Sequence, residues 1–118
     1  MQDFFKTYQV LFDDHFKNFK INKSPNNLYD PIRYLMEIKG KRIRPILTLL
    51  SADVFGSNPN DALDSALSVE IFHNFTLVHD DIMDEAALRR GVITVHKKWN
   101  INTAILSGDA MLIQAYKV

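Results

Sequence analysis

At 118 residues the chain is long enough for one small domain with its own core and too short for a plausible second one. Its 14 lysines and arginines balance 14 aspartates and glutamates, so no global field draws it towards nucleic acid or an anionic membrane, and any function must come from local charge. The absence of cysteine removes disulfides, thiolate metal sites and cysteine nucleophiles and fits a cytoplasmic setting, while an N-terminus bearing Asp3 and the lack of any run of ~18 apolar residues argue against a signal peptide or stable membrane insertion. In chain order, Phe4, Tyr8, Leu11, Phe12, Phe16 and Phe19 recur at helical spacing, with Lys6, Asp13, Asp14 and Lys17 between them, which predicts an amphipathic first helix. That aromatic stripe reads as core or partner interface rather than a ligand box. Asn22 to Asn27, with Pro25, forms a linker. Asp30-Pro31 carries the cap and first-turn signature of a second helix starting near Pro31, and Gly40 is placed to close it in the left-handed conformation. Pro45 restarts a third helix through Ile46, Leu47, Leu49, Leu50 and Val54. After the break at Gly56 to Asn60, a pattern free of proline and glycine predicts the longest helix, from Asp61 to about Asp84. Arg89 to Asn102 reads mostly as a loop, with room for a short extended piece around Val92 to Val95. A last helix opens near Asn102, and its apolar residues from Ala104 to Tyr116 cover so much of its circumference that burial on several sides is expected, either by a continuation of the chain or by a partner's surface.

The chemistry-bearing residues cluster late in the long helix. Asp80 and Asp84 are four positions apart, which on a helix leaves them only about 40° from each other, on one face. Such a pair suits Mg²⁺, a hard cation usually held by one or two carboxylates, waters and phosphate oxygens. Asp81 projects about 100° away and reads as an outer partner or a charge that raises local affinity. A helix C-terminus already carries partial negative charge, so aspartates crowded there call for a cation. His73, two turns upstream, falls within about 20° of the Asp80 stripe. Basic groups bracket the aspartates: Lys41, Arg42 and Arg44 before the third helix, and Arg89-Arg90-Gly91 after the acidic cluster. Arginine forks and lysine point charges are what diphosphates require, and Gly40 and Gly91 allow close backbone approach. Arg42 is expected to face solvent or an acidic neighbour. His79 and His96 read as packed, hydrogen-bonded histidines, and Lys97 and Lys98 as surface charge.

Gly40-Lys41-Arg42-Ile43-Arg44-Pro45, the stretch Glu70 to Asp84, Leu88-Arg89-Arg90-Gly91, and the segments Thr94 to Trp99 and Ala104 to Asp109 resemble, in order and spacing, the trans-isoprenyl diphosphate synthases (polyprenyl synthetases). The resemblance covers about residues 38–116 and fits the N-terminal portion of that family. It implies an all-α antiparallel bundle, the N-terminal part of the isoprenoid synthase fold, over residues 1–118. It further implies that Lys41, Arg44, His73 and Arg90 bind isopentenyl diphosphate, that Asp80, Asp81 and Asp84 hold an allylic diphosphate through Mg²⁺, and that Arg89 contacts that diphosphate directly. Chain length in the family is read just before the aspartates, where Phe75 stands five positions and Thr76 four positions ahead of Asp80. The bulk of Phe75 implies a short product, farnesyl or geranylgeranyl diphosphate, although on the helical wheel Thr76 and Phe72 lie closer to the Asp80 face. A homodimer is implied as well. No second paired-aspartate motif follows Asp84, so the 118-residue stretch is expected to be catalytically incomplete alone. Beside the transferase reading stand a non-catalytic partner subunit of a prenyl synthase and a purely structural helical fragment.

Overall fold

The computed structural model describes residues 2–38 and 40–118, with the backbone alone for Gln2 and Asp3. Among these residues the chain is all-α apart from one small hairpin. Its helices are α1 (Gln2–Asn18), α2 (Asn26–Glu37), α3 (Ile43–Val54), α4 (Leu63–Met83, entered through a 3₁₀ turn at Pro59–Ala62), α5 (Val95–Lys98) and α6 (Ile101–Lys117). Strands β1 (Leu88–Arg89) and β2 (Val92–Ile93) pair antiparallel between α4 and α5. Among the described residues no helix is long and apolar enough to cross a membrane.

The chain divides into two compact units. Residues Met1–Lys20 and Lys41–Glu70 with Val118 form the first, and Ile21–Gly40 with Ile71–Lys117 the second, so α4 contributes to both. In the first unit α1 buries Tyr8 and Phe12, and α3 buries Pro45, Ile46 and Leu49. Polar ties sit at the edges of this packing. The Tyr8 hydroxyl donates to Asp53 at 2.6 Å, and the carboxylate so engaged pushes the phenol's pKa up. His15 Nε2 meets Asp64 Oδ1 at 3.0 Å.

In the second unit α2 packs on α6 through Ile32, Leu35 and Met36 on one side and Ala104, Ser107, Met111 and Ala115 on the other. The Ser107 hydroxyl donates to the Leu28 carbonyl at 2.7 Å, and Tyr34 donates to the Ile93 carbonyl at 2.6 Å, joining α2 to the hairpin. Gly108 permits a close approach between α6 and α4 in this unit. A Cβ there would lie 2.5 Å from His79 Nε2, whose ring reaches the Ile105 carbonyl at 3.2 Å.

Two expectations are corrected. The second helix starts at Asn26, not near Pro31, because the Pro25 carbonyl accepts from both Leu28 and Tyr29 and so nucleates a turn earlier; Pro31 lies buried inside the helix, and Asp30 pairs with Arg33 instead of capping. Gly40 does not close it in the left-handed conformation, since the cap is Ile38 with extended backbone (φ −68°, ψ 117°). Within this chain α6 buries the face that carries Ala104, Ser107, Gly108, Met111 and Ala115 and leaves Leu106, Ile113 and Tyr116 exposed, apolar surface of the kind expected to meet further chain or a partner. The third helix begins two residues ahead of Pro45, at Ile43, and the loop after the aspartates resolves into the hairpin and α5.

Candidate active site

The last turn of α4 carries the aspartates. Asp84 N–H still donates to the Asp80 carbonyl at 2.9 Å, so the two residues stand one helical turn apart, and both are exposed. Directly after them the helix closes: Glu85 N–H bonds to the Ile82 carbonyl at 3.2 Å and Ala86 N–H to the Asp81 carbonyl at 3.0 Å, with Glu85 left-handed at φ 52°. Glycine is the residue that usually takes this position. A side chain there costs about 1 kcal/mol, so the sharp exit from the acidic turn is held by its surroundings.

Asp81 is different. It is only 6% exposed, and its carboxylate is gripped by Arg89 through Nε–H to Oδ2 at 2.8 Å and Nη2–H to Oδ1 at 2.7 Å. The Asp81 hydrogen bond raises the Arg89 pKa above its ordinary value against the opposing effect of burial, with the charges of Asp81, Asp80 and Asp84 adding to it. Nη1 of Arg89 takes no part in the fork. Asp81 is thus the partner of a basic residue, and the Arg89 guanidinium keeps one edge outside the fork.

Arg89 is held in place by the hairpin. Leu88 pairs with Ile93 and Arg89 with Val92, joined by the two-residue turn Arg90-Gly91 with φ of 51° and 78°. Positive φ at both central residues marks the turn whose twist matches antiparallel strands. Gly91 suits that conformation, with φ of 78° and no protein atom within 4 Å of where a Cβ would stand. The close approach is at Gly40: its α-carbon lies so near the Arg90 guanidinium that a Cβ would overlap it. Buried Thr94 secures the base of the loop, donating from its hydroxyl to the Ala86 carbonyl at 2.8 Å and from its N–H to the Ala87 carbonyl at 3.0 Å.

Upstream on α4, His73 is half-buried and its carbonyl accepts the Thr76 hydroxyl at 2.6 Å, so that hydroxyl is turned back onto its own helix. The Phe75 ring stands edge-on between Phe72, at 5.5 Å, and His79, at 4.9 Å. Lys41 and Arg44 belong to the first unit and are exposed. Between them Arg42 takes the acidic neighbour of the two options open to it. It caps α3 with left-handed backbone (φ 55°), bonds to Glu70 at 2.8 Å with both side chains less than 10% exposed, and lays its guanidinium over Phe16 at 4.6 Å.

Glu70, Thr94 and Gly108 are supporting residues to which the sequence assigned no role of their own, although all three lie in the stretches that carry the family resemblance. Among the described residues no three carboxylates or imidazoles converge as a preformed metal cage. The exposed Asp80 and Asp84 nonetheless fit Mg²⁺, which takes few protein ligands and keeps its waters.

The sequence pattern of the polyprenyl synthetase family matches residues 25–118. The chain is 48% identical to a geranylgeranyl pyrophosphate synthase of Geoglobus acetivorans, over 81% of this chain and 30% of that protein. Against a farnesyl diphosphate synthase of Micrococcus luteus the identity is 40%, over 83% of this chain and 34% of the relative. A crystal structure of a geranylgeranyl pyrophosphate synthase superposes with a TM-score of 0.91 at 53% identity, covering 96% of this chain and 35% of that one. The chain thus spans about a third of the length of the proteins it matches.

Proposed function

Because the chain belongs to the polyprenyl synthetase family, we propose that the protein carrying this segment is a Mg²⁺-dependent trans-prenyltransferase that condenses isopentenyl diphosphate with an allylic diphosphate. The observation that carries the reading is the division of labour at the end of α4, where Asp80 and Asp84 face solvent one turn apart while Asp81 is committed to Arg89. When bound, Mg²⁺ neutralises charge on the departing diphosphate and orients its oxygens. Asp80 and Asp84 hold that ion, and Arg89, fixed by Asp81, offers its free edge to the same diphosphate. Lys41, Arg44, His73 and Arg90 hold isopentenyl diphosphate through its phosphate oxygens. The allylic C–O bond breaks and its electrons leave with diphosphate. The isopentenyl double bond then attacks the allylic cation to form the new C–C bond, and loss of a proton restores a double bond in a product five carbons longer. No side-chain nucleophile is required.

Phe75, braced by Phe72 and His79, is the bulk that limits the growing chain, with Thr76 beside it, and farnesyl or geranylgeranyl diphosphate is the product class. The names of the two relatives above support that range. We place the protein in the cytoplasm as a homodimer, and the 118-residue stretch alone as inactive. Calorimetric titration of the chain with dimethylallyl diphosphate tests the site: heat of binding that appears only with Mg²⁺ and vanishes in Asp80→Ala is expected, and metal-independent binding contradicts it. Steady-state turnover by the 118 residues would contradict their assigned incompleteness.

A further inference from the structure

The hairpin that carries Arg89 and Arg90 is too small to hold its own shape. Each strand has two residues, and an isolated two-stranded hairpin is marginal in water even when it is longer. The turn also places Arg90 in the left-handed region at φ 51°, which a residue with a side chain resists. Its position must therefore be imposed from outside. Thr94 fixes the base of the hairpin on the residues that follow α4. From the other direction α2 holds it: the Tyr34 hydroxyl donates to the Ile93 carbonyl at 2.6 Å, across 59 residues of sequence, and Ile93 is the partner of Leu88, next to Arg89.

Tyr34 is itself held in place. Its half-buried ring stands edge-on to Trp99 at 5.3 Å. The Lys98 ammonium lies over both rings, 4.7 Å from the centre of Tyr34 and 5.6 Å from that of Trp99. The short helix α5 delivers that lysine, since the N–H groups of Lys97 and Lys98 bond to the Thr94 carbonyl at 3.2 and 3.0 Å. The residue that fixes the hairpin's base thus also starts the turn that brings Lys98 onto Tyr34. A lysine that reads as plain surface charge closes a stack, and no step of the reaction uses it.

We propose that Tyr34 is a positioning residue for both diphosphates, with the stack of Tyr34, Lys98 and Trp99 acting as a latch that sets the tilt of the hairpin. The proposal rests on the functional reading above, in which Arg89 meets the allylic diphosphate and Arg90 meets isopentenyl diphosphate. Both guanidinium groups ride on one hairpin, so a displacement of the hairpin moves them together. Tyr34 acts through the Ile93 carbonyl and not by touching substrate. A residue that contacts one diphosphate changes the KM of that substrate alone, whereas a residue that orients the hairpin changes both.

In the longer protein, Tyr34→Phe keeps the ring with its Trp99 and Lys98 contacts and removes only the hydroxyl. The KM values for isopentenyl diphosphate and for dimethylallyl diphosphate should each rise about fivefold, the ratio set by one hydrogen bond, with kcat and the melting temperature close to the parent's. Amide hydrogen exchange over residues 88–94 should quicken about fivefold while that of α4 and α6 stays as it was. Lys98→Met, which keeps the apolar stem and removes the charge, should act in the same direction by about twofold. Circular dichroism melts establish that both variants fold.

A rise in one KM alone, or in neither, overturns the proposal. Faster exchange in the hairpin with both KM values unchanged marks a purely structural bond and overturns it too, and exchange at the parent's rate shows that Tyr34 does not hold the hairpin at all. A parent that does not condense the two diphosphates overturns the functional reading together with the positioning role built on it, while exchange still reports the hydrogen bond. A parent that does condense them, and that Tyr34→Phe matches in every measurement, overturns the latch alone.

Discussion

The acidic turn that ends α4 and the basic turn that begins α3 are built on one plan with opposite signs. Each sets three like charges close together in sequence, and each buries the middle one against an opposite charge: Asp81 on Arg89, Arg42 on Glu70. The flanking charges, Asp80 and Asp84 in one turn, Lys41 and Arg44 in the other, stay exposed. Both turns also use a left-handed residue that is not glycine, Glu85 in the first and Arg42 in the second. The difference lies in the anchor. Arg89 is itself assigned to substrate, so the acidic turn couples its anchor to chemistry, whereas Glu70 and the Phe16 ring hold Arg42 away from any ligand role. A buried pair of this kind contributes little net stability but is costly to break. It determines where its neighbours point.

The largest effect expected is on catalysis. In the longer protein, Asp84→Ala should lower kcat by about a thousandfold or more with the melting temperature unchanged, whereas a near-normal rate would remove the aspartates from the site. Next in size is the structural anchor. Arg42→Ala or Glu70→Ala should destabilise the chain by about 3–5 kcal/mol in urea titrations, while the double replacement Arg42→Met with Glu70→Leu should recover most of that. If the single variants are as stable as the parent, the basic turn is not held by its buried pair, and the parallel with the acidic turn fails.

Lys41→Ala should act between these and the backbone effects. It is expected to raise the KM for isopentenyl diphosphate about tenfold, the loss of one charge-assisted contact worth roughly 1.5–3 kcal/mol, with little change in stability. An unchanged KM would show that its exposure serves something other than that substrate. The smallest effect belongs to Glu85. Glu85→Gly relieves a left-handed side chain and should stabilise the chain by about 0.5–1 kcal/mol, read as a small rise in the midpoint of urea unfolding.

Apolar periodicity made the helices legible in the sequence, because burial on one face repeats with the helix turn, and the placing of α1, α4 and α6 follows from it. Their ends were harder to read. Asp30-Pro31 has the residues of a helix start, yet the turn nucleated by Pro25 precedes it and packing of α2 on α6 carries the helix through the proline. At the end of α4 no glycine announces the left-handed exit, since tertiary contacts, the Arg89 fork and the Thr94 bonds among them, hold Glu85 where local preference would not. The site residues were visible as charges at particular spacings. Which charge is buried was not, because Glu70 lies 28 residues from Arg42, and that pairing depends on how α4 meets the basic turn within the first unit. The protein surroundings of Gly40 and Gly91 differ for the same reason: the first lies against the guanidinium of Arg90, the second takes the left-handed position of the hairpin turn.

In the proposed site the exposed flanking aspartates, and not the buried one, hold the metal that carries an allylic diphosphate. Mn²⁺ in place of Mg²⁺, added to the isotopically labelled chain with dimethylallyl diphosphate, reports this through paramagnetic broadening of amide resonances. Broadening should centre on the last turn of α4 around Asp80 and Asp84 and disappear in Asp84→Ala. Broadening that persists in that variant, or that centres elsewhere on the chain, would contradict the account.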